Sequence, residues 1–193
     1  QAVFSLEYAK SLSDECVKQN CTCKIHIKVD TGMSRIGFMC QQFPRDDYSI
    51  KEILEVCNLP NLSLEGLFTH FCVSDEAEEG REFTQRQYQN FIYAKNAIQS
   101  NGINIKYVHC SNSGAIEDYP DTYCDMVRAG IILYGLSPSR KLCGKLDLIP
   151  AMTLKTTVAY VKNLKKGSDI SYGRTFTAPK DMKIATVPIG YAD

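Results

Sequence analysis

Four groups of reactive side chains stand just behind apolar runs in this chain. Asp30-Thr31-Gly32-Met33-Ser34-Arg35-Ile36-Gly37 crowds a carboxylate, an arginine and two glycines into one turn. Thr69-His70 follows the next run, His109 and Ser111-Asn112-Ser113 the one after, and Arg128-Ala129-Gly130-Ile131 the last. The Ser113 hydroxyl and the backbone N–H groups of Gly130 and Ile131 are the donor types that cradle a phosphate. Arg35 and Arg128 are permanently protonated guanidinium groups. His70 offers a group that gives or takes a proton near neutral pH.

Each group also has an ordinary reading. A histidine closing a strand is commonly a hydrogen-bonded structural residue, and Asn112-Ser113-Gly114 is good N-cap and turn chemistry. Arg128 can be a salt-bridge partner, and Gly32 and Gly37 can simply permit tight turns. What sets these groups apart is their common place at the C-terminal ends of successive strands.

The elements that position them alternate. Ile25, Ile27 and Val29 have the period-two spacing of a strand, predicted over 24–30. Further strands are expected at 2–6, 64–70, 105–110 and 126–130. Helices are expected near 7–19, 47–57 and 82–101, with a short helical or turn segment at 113–120. Such alternation argues for right-handed βαβ units and a parallel sheet, either doubly wound or closed into a barrel. In a barrel, functional groups gather at the C-terminal ends of the strands, and a phosphate site often forms after strands seven and eight. On that reading the chain is α/β, part of a (β/α)8 TIM-type barrel holding about strands 4–8 over residues 1–140. From about 141 the pattern changes to "AMTLKTTVAYVKNL", "DISYGRTFTA" and "KIATVPIGYA", short strands parted by Lys-Gly and Pro-Lys-Asp turns. Residues 141–193 are therefore expected to begin a mostly-β domain, incomplete at its end.

Lysine plus arginine and aspartate plus glutamate number 22 each, so no net field draws the chain to nucleic acid or an anionic membrane. A small molecule or a protein partner is the expectation. The nine cysteines are odd in number and irregularly spaced, with no CxxC pair. They read as reduced thiols of a cytoplasmic protein, with no metal site. No apolar run is long enough to span a membrane, and no export signal opens the chain.

Seven blocks together resemble the alanine racemase family of fold-type III pyridoxal-phosphate enzymes. They are "KVDTGMSRIGF" (28–38), "LFTHF" (67–71), "HCSNSGA" (109–115), "MVRAGIILYGLSPS" (126–139), "PAMTLKTTVAYVK" (150–162), "SYGRTF" (171–176) and "VPIGYAD" (187–193). The resemblance implies pyridoxal 5'-phosphate as cofactor and alanine as substrate, interconverted between its L and D forms to supply D-alanine for peptidoglycan. It also implies a homodimer in which the β domain reaches a partner's barrel. Arg128 matches the arginine that hydrogen-bonds the pyridine nitrogen, and His70 the histidine that bonds that arginine. Tyr172 matches an acid/base tyrosine, needing a cationic neighbourhood to which His70 and Arg128 would contribute. Ser113, Gly130 and Ile131 match phosphate-binding positions, with Asn112 beside them. Arg35 matches an arginine that touches the cofactor's phenolic oxygen and the substrate carboxylate. Lys28 matches a lysine that is carbamylated in many members, the alternative being an unmodified strand lysine paired with Asp30.

The resemblance places the Schiff-base lysine, its following tyrosine and a second phosphate tyrosine outside these residues. The chain alone is therefore expected to be inactive. A serine or broad-specificity racemase shares the same blocks, since pocket size alone separates such substrates. A non-catalytic cofactor-binding barrel shares the fold, and the "SYGRTF" block argues against it.

Overall fold

Ile25, Ile27 and Val29 are fully buried, and their alternation makes Cys23–Asp30 (β2) the central strand. The computed structural model describes residues 1–41 and 48–190. Within them the chain divides into two compact units, Gln1–Ala151 and Met152–Asp193.

The first unit is α/β. Ala2–Val3 (β1), Leu62–Phe68 (β4) and Tyr107–His109 (β5) join β2 in a parallel sheet of order β1-β2-β4-β5. Phe38–Met39 (β3) also pairs with β2 in parallel, at Val29 and Asp30, past the residues that β1 takes. Helices Leu6–Lys18 (α1), Tyr48–Cys57 (α2) and Arg81–Ser100 (α3) alternate with the strands. Val3, Ile25, Ile27, Leu67 and Val108 pack with Ile53, Phe91, Ala94 and Ile98 in one core. Burying each such side chain contributes about 1.5–3 kcal/mol, enough to make this the dominant layer contact. The other face of the sheet carries His26, Lys28 and Asp30, which is why polar chemistry accumulates there.

Local rules set the element ends. The Ser5 hydroxyl accepts from Tyr8 N–H at 3.2 Å, capping α1 and ending β1 at Val3, short of the expected 2–6. Strand β4 stops at Phe68, so Thr69 and His70 stand just past its end. The expected start of α2 at 47 lies outside the described residues.

Residues 126–130 do not form the expected strand. Asp125 N–H donates to Val108 O at 3.0 Å and Arg128 N–H to Ser111 O at 2.9 Å, but no ladder develops between them. Met126 and Val127 are partly exposed, and among the described residues no strand pairs with this segment on its other side.

The second unit is all β. Tyr160–Leu164 (β6) pairs antiparallel with Met182–Thr186 (β9), and Asp169–Ile170 (β7) with Phe176–Thr177 (β8). The strand expected across 151–164 is paired only in its last five residues. The end of the last expected strand, at 191 and 192, lies outside the described residues. Among the described residues no helix is long and apolar enough to cross a membrane.

Candidate active site

The turn after β2 is built around the Asp30 carboxylate. Its Oδ1 accepts from the backbone N–H groups of Gly32, Met33 and Ser34, each at 3.0 Å. The chain can curl so tightly because Gly32, Ser34 and Gly37 adopt positive φ. At Gly37 a Cβ would stand 2.8 Å from Asp30 N and 3.0 Å from Lys28 O, so only glycine lets β3 return beside β2. Arg35 rides on this turn and is exposed.

Buried Gln87, on α3, ties the turn to the end of β4. Its amide nitrogen donates to His70 O at 3.2 Å and Thr31 Oγ1 at 3.4 Å, while its oxygen accepts from Cys72 N–H at 3.1 Å. Thr31 and Thr69 share a hydroxyl–hydroxyl bond of 2.7 Å. Nothing in the sequence marks Gln87 except its place on the buried stripe Thr84, Gln87, Phe91, Ala94, Ile98.

Arg128 sits at the centre of the site. Nη1 meets His109 Nδ1 at 2.7 Å, and Nη2 donates to Thr69 O at 2.8 Å and Cys110 O at 3.1 Å, with His70 Nδ1 at 3.3 Å. All four partners are neutral acceptors, and no carboxylate pairs with the guanidinium among the described residues. Two of its five N–H groups, on Nε and Nη1, meet no acceptor among the described residues. Burial lowers its pKa from the ordinary value without bringing guanidinium ionisation into question.

Burial, then the charges of Arg128, Lys28 and Arg35, push His70 down to about 4. Burial and Arg128 likewise push His109 down to about 4. Both imidazoles are neutral at physiological pH. The positive charge that the sequence reading shares between His70 and Arg128 therefore resides on Arg128, with His70 a neutral hydrogen-bonding group.

Lys28 is buried on the polar face of β2, its Nζ 5.2 Å from the centre of the Phe68 ring. Phe68 in turn stacks on His109 with centroids 4.9 Å apart. No hydrogen bond or salt bridge from Lys28 Nζ occurs among the described residues, Asp30 included. Burial and repulsion from Arg128 pull its pKa down to about 8. A substantial neutral fraction of a reactive amine follows at physiological pH.

Ser113, nearly buried, opens the short helix Ser113–Asp118 (α4) and its hydroxyl accepts from Gly130 N–H at 2.9 Å. Among the described residues the hydroxyl hydrogen of Ser113 meets no acceptor. Asn112 is committed elsewhere: its amide oxygen accepts from Ala115 N–H at 3.1 Å and Ser74 Oγ at 2.7 Å, and its nitrogen donates to Phe71 O at 3.0 Å. It fixes Ser113 through backbone and neighbours. His70, Asn112, Ser113, Arg128, Gly130 and Ile131 all line one cavity of about 380 Å³, a volume suited to a small cofactor. A larger hollow of about 840 Å³ lies at Glu78, Arg81 and Asp118, charged groups that already pair with one another.

Tyr172 belongs to the second unit. It occupies a short turn between β7 and β8, 89% exposed, flanked by positive φ at Ser171, Gly173 and Arg174. Arg174 pairs with Asp169 at the base of that turn.

Comparison with known proteins shows the family. The alanine racemase N-terminal domain family covers residues 1–138 and the C-terminal domain family residues 151–193. The chain belongs to the alanine racemase family. The alanine racemase of Clostridium tetani is 46% identical, aligned over 100% of this chain and 48% of its own. That of Clostridium perfringens strain SM101 is 48% identical with the same coverage. The chain thus spans about half the length of the curated alanine racemases it matches. Among solved structures, the alanine racemase of Clostridium difficile 630 superimposes with a TM-score of 0.77 at 41% identity, covering 100% of this chain and 49% of that one. A histidine racemase from Leuconostoc mesenteroides, at 30% identity, has a TM-score of 0.65 over 98% of this chain and 49% of its own.

Proposed function

We propose that this chain is the cofactor-gripping part of a pyridoxal 5'-phosphate-dependent racemase that interconverts L- and D-alanine. The observation that carries the reading is Arg128, a half-buried cation held only by neutral acceptors, with N–H groups left over beside a cavity lined by Ser113 and Gly130. The residues fit such a cofactor, since the cavity offers the Ser113 hydroxyl and the Ile131 backbone N–H for a phosphate and the two remaining N–H groups of Arg128 for a ring. On this reading residues 1–140 are the portion of a (β/α)8 barrel holding about strands 4–8, and 141–193 open the β domain.

Pyridoxal phosphate, when bound, supplies an electron sink conjugated to the amino acid's Cα. Arg128 would donate a hydrogen bond to the ring nitrogen and keep its own proton, since guanidinium is too weak an acid to give it up. That moderates the sink and favours return of a proton to Cα over transamination. Ser113 and Ile131 would hold the phosphate, with Gly130, whose N–H donates to the Ser113 hydroxyl, and Asn112 fixing Ser113. Arg35 would pair with the substrate carboxylate and approach the cofactor's phenolic oxygen. Lys28, a partly neutral amine, would add to carbon dioxide, forming a carbamate and releasing a proton. The resulting anion would steady Arg35.

Tyr172 would carry a proton at one face of Cα, opposite a second acid/base group on the other face. Its exposure suits delivery to the site of a partner subunit in a homodimer. The histidine racemase at similar fold keeps a broader or different substrate in play, because side-chain pocket size sets preference within this chemistry. The cytoplasm is the fitting compartment for reduced thiols of this kind.

The test is racemisation of alanine, serine and histidine by a family-length protein carrying this sequence, loaded with cofactor. The reading requires the highest kcat/KM with alanine. Preference for serine or histidine would retain the racemase and replace its substrate, and no racemisation at all would refute it.

A further inference from the structure

Arginine has donors only, so its contact with His109 fixes where the imidazole proton lies. His109 Nδ1 must present a lone pair to Arg128 Nη1 at 2.7 Å, and its proton therefore sits on Nε2. That Nε2–H points at His26 Nδ1, 2.9 Å away. His26 Nδ1 must then be an acceptor too, leaving the His26 proton on Nε2. These tautomers are assigned by hydrogen-bond logic, each step forced by the one before.

We propose that His26 is a positioning residue for Arg128: by accepting from His109 it holds that imidazole in the one tautomer able to receive the guanidinium. Two features of the fold support this use of His26. It lies on β2, while His109 lies on β5, with β4 between them. The ring can cross β4 only because its register partner there is Gly66, where a Cβ would stand 2.4 Å from His26 Nδ1. Phe68, two residues on, then lies parallel to His109 within 4° and keeps its ring from tilting out of line. His26, His109 and Arg128 thus form one directed row of hydrogen bonds running across the polar face of the sheet.

Every donor in that row points away from Arg128. A tautomer change at His26 would put a hydrogen against His109 Nε2–H, and His109 could relieve the clash only by moving its proton to Nδ1, facing Arg128. The inference rests on the proposed function only for what Arg128 faces, and its primary test needs no turnover.

The experiment is nitrogen-15 NMR of histidine-labelled, family-length protein without cofactor, followed by kinetics of the holoenzyme and its variants. In the unmutated protein, Nδ1 of both His26 and His109 should show the shift of an unprotonated ring nitrogen. A proton on Nδ1 of either would overturn the proposal without any substitution being made. His26→Leu, which fills space but accepts nothing, should shift the His109 ring nitrogens and lower kcat about tenfold, the loss of one good hydrogen bond, with KM within about twofold. His26→Asn, whose Oδ1 sits where Nδ1 was, should restore the His109 signals and most of kcat. Unchanged His109 signals in His26→Leu, or no rescue by His26→Asn, would show that the ring only fills the slot over Gly66. Intact tautomers in a protein that racemises nothing would sink the proposed function and leave this inference standing.

Discussion

Thr31 and Thr69, 38 residues apart in the chain, meet hydroxyl to hydroxyl at 2.7 Å, and the Gln87 amide contacts Thr31 from the helix behind. This contact links the turn bearing Arg35 to the segment bearing His70. Gln87→Ala strands the N–H of Cys72 and the carbonyl of His70 in a buried setting, and should cost about 2–4 kcal/mol of stability. Chemical denaturation of family-length protein checks the figure. A loss below about 0.5 kcal/mol, ordinary for a surface glutamine, would remove Gln87 from the account.

Gly37 closes the same turn from the other side. Its φ is +129°, and a Cβ there would meet backbone atoms at 2.8–3.0 Å, which leaves no room for a side chain. Gly37→Ala should destabilise the protein by about 2–4 kcal/mol and raise KM for alanine, because Arg35 rides on the turn. Thermal unfolding and steady-state kinetics report the two effects separately.

His70 and His109 are both held near 4, below the ordinary imidazole value. A depressed base binds protons more readily when unfolded. The stability it confers is therefore complete above about pH 6.5 and is lost as pH falls toward 4. With His70 half-buried and His109 buried, about 1 kcal/mol each is a conservative scale after screening. The melting temperature should fall over that window, and His109→Asn should flatten the fall. A pH-independent melting temperature between those limits would contradict the neutral assignment.

Lys28 should take up carbon dioxide. With its pKa pulled to about 8, the reactive neutral amine gains population from about pH 6 to about pH 8. Carbon-13 bicarbonate should give a carbamate resonance that grows over that range and vanishes in Lys28→Met. Persistence of the resonance in that variant would move the modification to another amine.

The turn from Asp30 to Gly37 was legible in sequence because its residues can do little else together: the carboxylate gathers three N–H groups and the glycines permit the curl. Strand 24–30 was legible because Ile25, Ile27 and Val29 alternate with polar residues. Segment 126–130, expected as a strand, forms none, since pairing depends on a neighbour that the sequence cannot reveal. Gln87 reads as one polar residue among many on α3, and its importance comes from burial. His26 was hidden for a similar reason, because its partner His109 is two strands away and the glycine that makes the contact possible lies between them. Tyr172 stood out only through the "SYGRTF" block, as nothing about a lone exposed tyrosine announces acid/base work.

The most direct test of the proposed chemistry is inversion of alanine in deuterium oxide by cofactor-loaded, family-length protein, beside Tyr172→Phe with equal cofactor content. The account predicts that the unmutated protein converts both enantiomers with deuterium on Cα of the product, and that Tyr172→Phe binds cofactor yet inverts at least about 100-fold more slowly, the scale of one lost acid/base group. Undiminished inversion by Tyr172→Phe, or no inversion by the unmutated protein, would contradict it.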